Sequence, residues 1–109
     1  MAMSGEENKV ELNTIQLKKP IRAHGADVSE VTLREVTTED IMDLGQPFLL
    51  IMDNGSTGVQ IQHKTVAAWI VRLAGVPLSS VKAMDPADFG KATAMVMGFF
   101  GASDEPESS

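Results

Sequence analysis

Between Lys91 and Asp104 the chain carries no charge, and the segment KATAMVMGFFG that fills most of this gap is apolar nearly all round. Drawn as a helix, it places Phe89, Val96, Phe99 and Phe100 on one side, with Met95 and Met97 elsewhere. A helix apolar on every side is normally fully buried. A chain of 109 residues has little material with which to bury it. Either the other elements sandwich this helix, or part of it meets a partner. Gly90, Ala94 and Gly98 recur every fourth residue, a stripe of small side chains where another backbone could approach closely. The helix opens at Asp85-Pro86, a good N-cap followed by the residue favoured at the first helical position, and it ends at Gly101.

The elements available to cover it lie upstream. In VQIQHKTVAAWIVRLAG, Val66, Trp69, Ile70 and Leu73 follow the i, i+3, i+4, i+7 spacing of one helical face. This predicts a helix over Val59–Ala74, capped by Gly75 and stopped by Pro77. Leu78–Met84 reads as one turn capped by Ser79 or Ser80. Thr38–Leu44 reads as a short helix, with Thr37 or Thr38 as cap and Glu39 and Asp40 at the positive end of its dipole. Gly45 and Pro47 stop it. The apolar run Phe48–Met52 reads as a further short helix, ended by the interhelical loop DNGSTG, Asp53 to Gly58.

The N-terminal part has the period of two expected of strands. Ile15 and Leu17 alternate with polar neighbours, predicting a strand near Glu11–Lys19, and Val31 and Leu33 predict another near Val28–Val36. Pro20 cannot donate to a ladder and marks an edge or an irregular position. Pairing Leu17 with Val31 and Ile15 with Leu33 gives a three-residue turn, Ala23-His24-Gly25, with Gly25 in the left-handed region. A two-residue His24-Gly25 turn is the alternative, and it needs a bulge to keep the faces aligned. The stretch VTLREVTTEDIMDLG, Val31 to Gly45, then passes from strand to helix with almost no loop. Strands first and helices after predict an α+β domain: an N-terminal β-hairpin packed on a bundle of three to four α-helices. Residues 10–101 form that single domain, with a disordered lead over 1–9 and a disordered acidic tail over 102–109.

The residues hold no recognisable reaction centre. With no cysteine, disulfides, thiol catalysis and thiolate metal sites are excluded. DNGSTG lacks the alternating acidic ligands of a calcium loop and the Gly-Lys-Ser/Thr end of a phosphate loop. His24 and His63 have no acidic or histidine neighbour at helical spacing, so no metal site is expected. Ser56, Thr57, Ser79 and Ser80 have no base or elbow context. The sequence therefore predicts a protein that is not an enzyme and takes no cofactor. A net charge of -6 and a pI near 4.7 disfavour nucleic acid. No apolar run is long enough to span a membrane, and the polar, acidic MAMSGEENKV lacks the features of a signal peptide. The expected location is the cytoplasm. Seven methionines suit a surface that must fit imperfect apolar partners.

Two blocks carry a resemblance. The first is Lys19-Pro20-Ile21, Gly25, Val28, Val31-Thr32-Leu33-Arg34-Glu35 and Thr38 to Ile41. The second is Leu73-Ala74-Gly75-Val76-Pro77, Val81 and Met84-Asp85-Pro86-Ala87-Asp88-Phe89, followed by Gly98-Phe99-Phe100. In order and spacing, from about Ile15 to Gly101, they resemble the tail assembly chaperone family of long-tailed, Mu-like phages and prophages. Val36 stands where that family often has proline, and Gly45 to Lys64 matches least. The resemblance implies a non-enzymatic protein that binds the tape measure protein, keeps it soluble during tail morphogenesis, and helps deliver tail-tube subunits. It also implies absence from the mature virion. The alternatives are a structural tail protein retained in the virion, or a protein that self-associates. The candidate partner-binding residues are Phe89, Met95, Val96, Met97, Phe99 and Phe100.

Overall fold

Two hairpins and four helices make up residues 13–101, the part of the chain that a computed structural model describes. The order is β1 (Thr14–Ala23), β2 (Ala26–Thr32), α1 (Thr38–Leu44), β3 (Phe48–Asp53), β4 (Ser56–Ile61), α2 (His63–Ala74), α3 (Leu78–Lys82) and α4 (Pro86–Phe99). The expected α+β class and N-terminal hairpin on helices are present. The terminal segments predicted to be disordered, 1–9 and 102–109, lie outside the described residues.

β1 and β2 pair antiparallel, with Ile15 opposite Val31 and Ala23 opposite Ala26. The register therefore differs from the expected pairing of Ile15 with Leu33. The turn is the two-residue alternative: His24 and Gly25 both have positive φ, 55° and 78°, as a type I′ turn requires. A bulge accompanies it. Between Gln16 and Ile21 β1 takes five steps, while β2 takes two from Glu30 to Val28. Pro20 lies in this bulge, where its missing N–H costs no ladder bond. The strand bounds shift with the register, β1 running past Lys19 to Ala23 and β2 ending at Thr32 rather than Val36.

The largest departure is in the middle of the chain. Phe48–Met52 is not a helix but the strand β3, and DNGSTG is a hairpin turn rather than an interhelical loop. Asn54 and Gly55 have φ of 51° and 82°, so they form a second type I′ turn. Val59 to Ile61 belong to β4, and α2 begins only at His63. β3 and β4 form a two-stranded sheet of their own.

The core lies between the first hairpin and the helices. Ile15, Ile21, Val31 and Leu33 from the strands meet Val66, Trp69, Ile70 and Leu73 from α2 and Ala92 and Val96 from α4. The helix signals hold well. Thr37 caps α1 in a capping box with Asp40, Gly75 caps α2 in the left-handed region, and Asp85 caps α4 by accepting from Ala87 N at 2.9 Å. Neither Ser79 nor Ser80 caps α3: its N-cap is Pro77, and the buried Ser80 hydroxyl donates to Arg22 O. α4 is not enclosed on every side. Its small-residue stripe, Gly90, Ala94 and Gly98, faces outward, and nothing lies within 4 Å of a Cβ built on Gly90.

Leu33 is fully buried where the hairpin meets the helices. Truncation to alanine is expected to cost about 2–5 kcal/mol, read by urea denaturation with an unchanged slope. Met42, 79% exposed on α1, should change stability by no more than about 0.5 kcal/mol when made alanine.

Candidate interaction surface

Two carboxylates hold the framework that presents the surface. Asp88, in the first turn of α4, has no solvent exposure. It accepts the backbone N–H of Lys18 at 2.9 Å on each oxygen and that of Lys19 at 3.1 Å. Lys91 Nζ stands 4.0 Å away. The donors come from the β1 bulge, where they are not spent on the ladder. Asp40 in α1 is also buried and takes the Arg34 guanidinium in two parallel bonds, 2.8 and 3.0 Å. It further accepts from Thr37 N at 2.9 Å, and Arg72 Nε lies 3.5 Å away. These partners hold both carboxyls below the ordinary carboxylate range, Asp40 chiefly through Arg34 and Asp88 chiefly through the Lys18 N–H.

The second hairpin stands on this framework by its root. Pro47 is fully buried, Gln62 N donates to Pro47 O at 2.9 Å, and Ile61 packs on the core. Phe100 fills the space beneath, edge-on to both Trp69 and Phe48 at centroid distances of 5.2 and 6.1 Å. Trp69 Nε1 donates to Gly45 O at 2.9 Å, which fixes the turn into β3. Beyond the root, large apolar residues lie open: Leu49, Leu50, Ile51, Met52 and Val59 are between 43% and 75% exposed. Cross-strand pairing puts Phe48, Leu50 and Met52 on one face with Ile61, Val59 and Thr57, while Leu49 and Ile51 lie on the other. Asp53 is the only charge between Phe48 and Ile61. Both faces of the arm thus carry exposed apolar side chains, the second face sharing Leu49 and Ile51 with Gln60, Gly58 and Ser56.

A groove of about 600 Å³ opens elsewhere, between the start of α2, α3 and the start of α4. Leu78, Met84 and Phe89 are among its apolar walls, and His63, Lys64 and Lys82 also line it.

The predicted contact residues divide accordingly. Phe89 lines the groove and Phe100 supports the arm. Met95 and Phe99 are half-buried against the core. Val96 and Met97 are buried, Val96 within the core, so they reach a partner only if the domain opens. The sequence does not single out the exposed arm, although Asn54-Gly55 between the apolar run FLLIM and the alternating Thr57, Val59 and Ile61 is the signal for a hairpin. His24, considered as a ligand, instead bonds Gly75 O through Nε2 at 2.8 Å. Among the described residues no group of three or more His, Asp or Glu is placed to hold a metal, and no helix is long and apolar enough to cross a membrane.

What the described residues present is an exposed apolar arm carried on a small α+β framework. A family model described as phage tail assembly chaperone proteins, E, or 41 or 14, matches residues 14–101. The chain belongs to that family of tail assembly chaperones. No curated protein and no solved structure gave a match.

Because the folded carboxyls hold their protons less tightly than unfolded ones, their stabilisation is complete above about pH 4 and is lost as pH falls below it. The thermal midpoint should be level near neutrality and drop in acid, as followed by circular dichroism. Asp88→Asn should lower the midpoint at pH 7 and flatten its fall in acid. An unchanged acid fall would remove Asp88 from this account.

Proposed function

We propose that the chain binds the tape measure protein and keeps it soluble while the tail is built, with tail-tube subunits as a second client. Membership of the chaperone family implies interaction with tail proteins. The observation that carries the finer reading is the arm of β3 and β4, whose apolar side chains are open to solvent on both faces. Monomeric proteins seldom leave so continuous an apolar surface uncovered. A long client with a repetitive apolar face needs many weak, adaptable contacts, and Leu, Ile and Met on a narrow ribbon supply them. The acidic net charge favours solubility of the loaded complex.

In this reading Leu50, Met52 and Val59 make the first contacts. Ile41 and Met42, exposed on α1, extend the apolar surface. Phe100 supports the arm from beneath, Phe89 serves in the groove, and Met95, Val96, Met97 and Phe99 act through the packing of α4. The protein works in the host cytoplasm without catalysing a reaction, and it leaves before the virion is complete.

Co-expression with the tape measure protein, followed by pull-down through a tag on this chain, tests the reading. The client should come down soluble and in a defined ratio. Leu50→Glu, at a residue 64% exposed, should leave the fold intact by circular dichroism and weaken capture by roughly tenfold or more. A client that stays insoluble beside the wild-type chain would overturn the proposal. Finding the chain in purified particles by mass spectrometry would assign it instead to the tail structure.

A further inference from the structure

The arm and the groove are complementary surfaces on one molecule, and neither is used within the monomer. None of the lining residues of the groove comes from β3 or β4, so the arm does not fold onto its own groove. The groove is apolar in its walls, with Leu78 46% exposed beside Val81, Met84 and Phe89. The charged residues that line it are lysines, Lys64 and Lys82, and none of its lining residues is acidic. In a chain of net charge -6 this is a local reversal of sign. Neither lysine is in an ion pair among the described residues. The arm has the opposite character at its end. Its tip carries Met52, 75% exposed, next to Asp53, its one charge, which is also in no ion pair among the described residues.

We infer that the arm of one copy docks tip-first in the groove of a second copy, with Met52 on one face of the tip against Leu78, Met84 and Phe89 and Asp53, on the opposite face, turned toward Lys64 and Lys82. Desolvation of the apolar tip drives the contact, and the charge pair sets its direction. The arm is well suited to reach outward. A six-residue hairpin extends about 20 Å from its root, and Pro47, Phe100 and the Trp69 bond to Gly45 hold that root firmly. Because arm and groove are different patches, one docked contact leaves one arm and one groove free; these close a two-fold dimer where they meet reciprocally, and otherwise continue to a ring or an open chain.

Sedimentation of the purified full chain across about 1 to 100 μM tests this, with no client present. The wild type should self-associate, to a dimer where the docking is reciprocal and to larger species where it is not. Met52→Glu removes the arm and Leu78→Glu blocks the groove. Both positions are exposed, and each variant should be a folded monomer by circular dichroism. An equimolar mixture of the two retains one good arm and one good groove, and should form a heterodimer and nothing larger. Asp53→Lys should weaken assembly at least tenfold, and Lys82→Asp in the same chain should restore part of it. A wild type that stays monomeric overturns the inference. So does a Leu78→Glu chain that assembles like wild type, because that result would place the contact between arms. A mixture that stays monomeric does the same.

Discussion

The Asp88 carboxylate is the interaction on which the arrangement of the domain depends. A fully buried carboxylate is tolerated only when its lone pairs are met, and here two backbone N–H groups meet them, that of Lys18 shared between both oxygens and that of Lys19 on one. Those N–H groups are available because β1 bulges, and Pro20 within the bulge has no N–H to leave unsatisfied. The irregularity in the strand and the buried charge in the helix are therefore two halves of one joint. It fixes the start of α4 against the middle of β1, and the nearby cap at Asp85 fixes the direction in which α4 leaves.

The other end of the hairpin is tied by different chemistry. His24 bonds the carbonyl of Gly75 at the end of α2, and Ser80 bonds the carbonyl of Arg22. At the strand-to-helix junction, Arg34 N donates to Leu73 O at 3.2 Å while its guanidinium grips Asp40. A lone two-stranded hairpin is marginal in water; this one is joined to α1, α2, α3 and α4 by polar contacts around an apolar centre. The short junction from Val31 to Gly45 is thus scaffolding, which sets α1 and the root of the second hairpin in place.

How much of this was legible follows from the kind of signal each element leaves. Caps were readable because they depend on single residues at fixed offsets, and Thr37, Gly75 and Asp85 all act as caps. The α2 face was readable because Val66, Trp69, Ile70 and Leu73 keep the helical period and are buried together. The first hairpin was readable as an element but not in register, since the bulge that shifts it is set by Asp88, some seventy residues away. The second hairpin was hidden because FLLIM has no alternation: both of its faces are apolar, so the period of two is absent. The sequence points to α4 for the contact residues because its uncharged stretch is apolar nearly all round. Its apolar sides were instead largely claimed by the core, leaving glycine and alanine outside.

The same lack of alternation that concealed the arm gives it its physical character. A strand with one polar face has a defined inside and outside, and a partner can cover only one of them. A ribbon with apolar side chains on both faces and a single charge at its tip gains stability in water when something covers it. The proposed client helix and the proposed groove of a neighbouring copy would both meet that need, and they would compete for the same side chains. On any one protomer, Met52 cannot lie in a groove and on a client at the same time. Under the two proposals, self-assembly and client binding by the arm are linked with opposite sign, and a tail protein would have to displace a neighbouring copy to reach the arm.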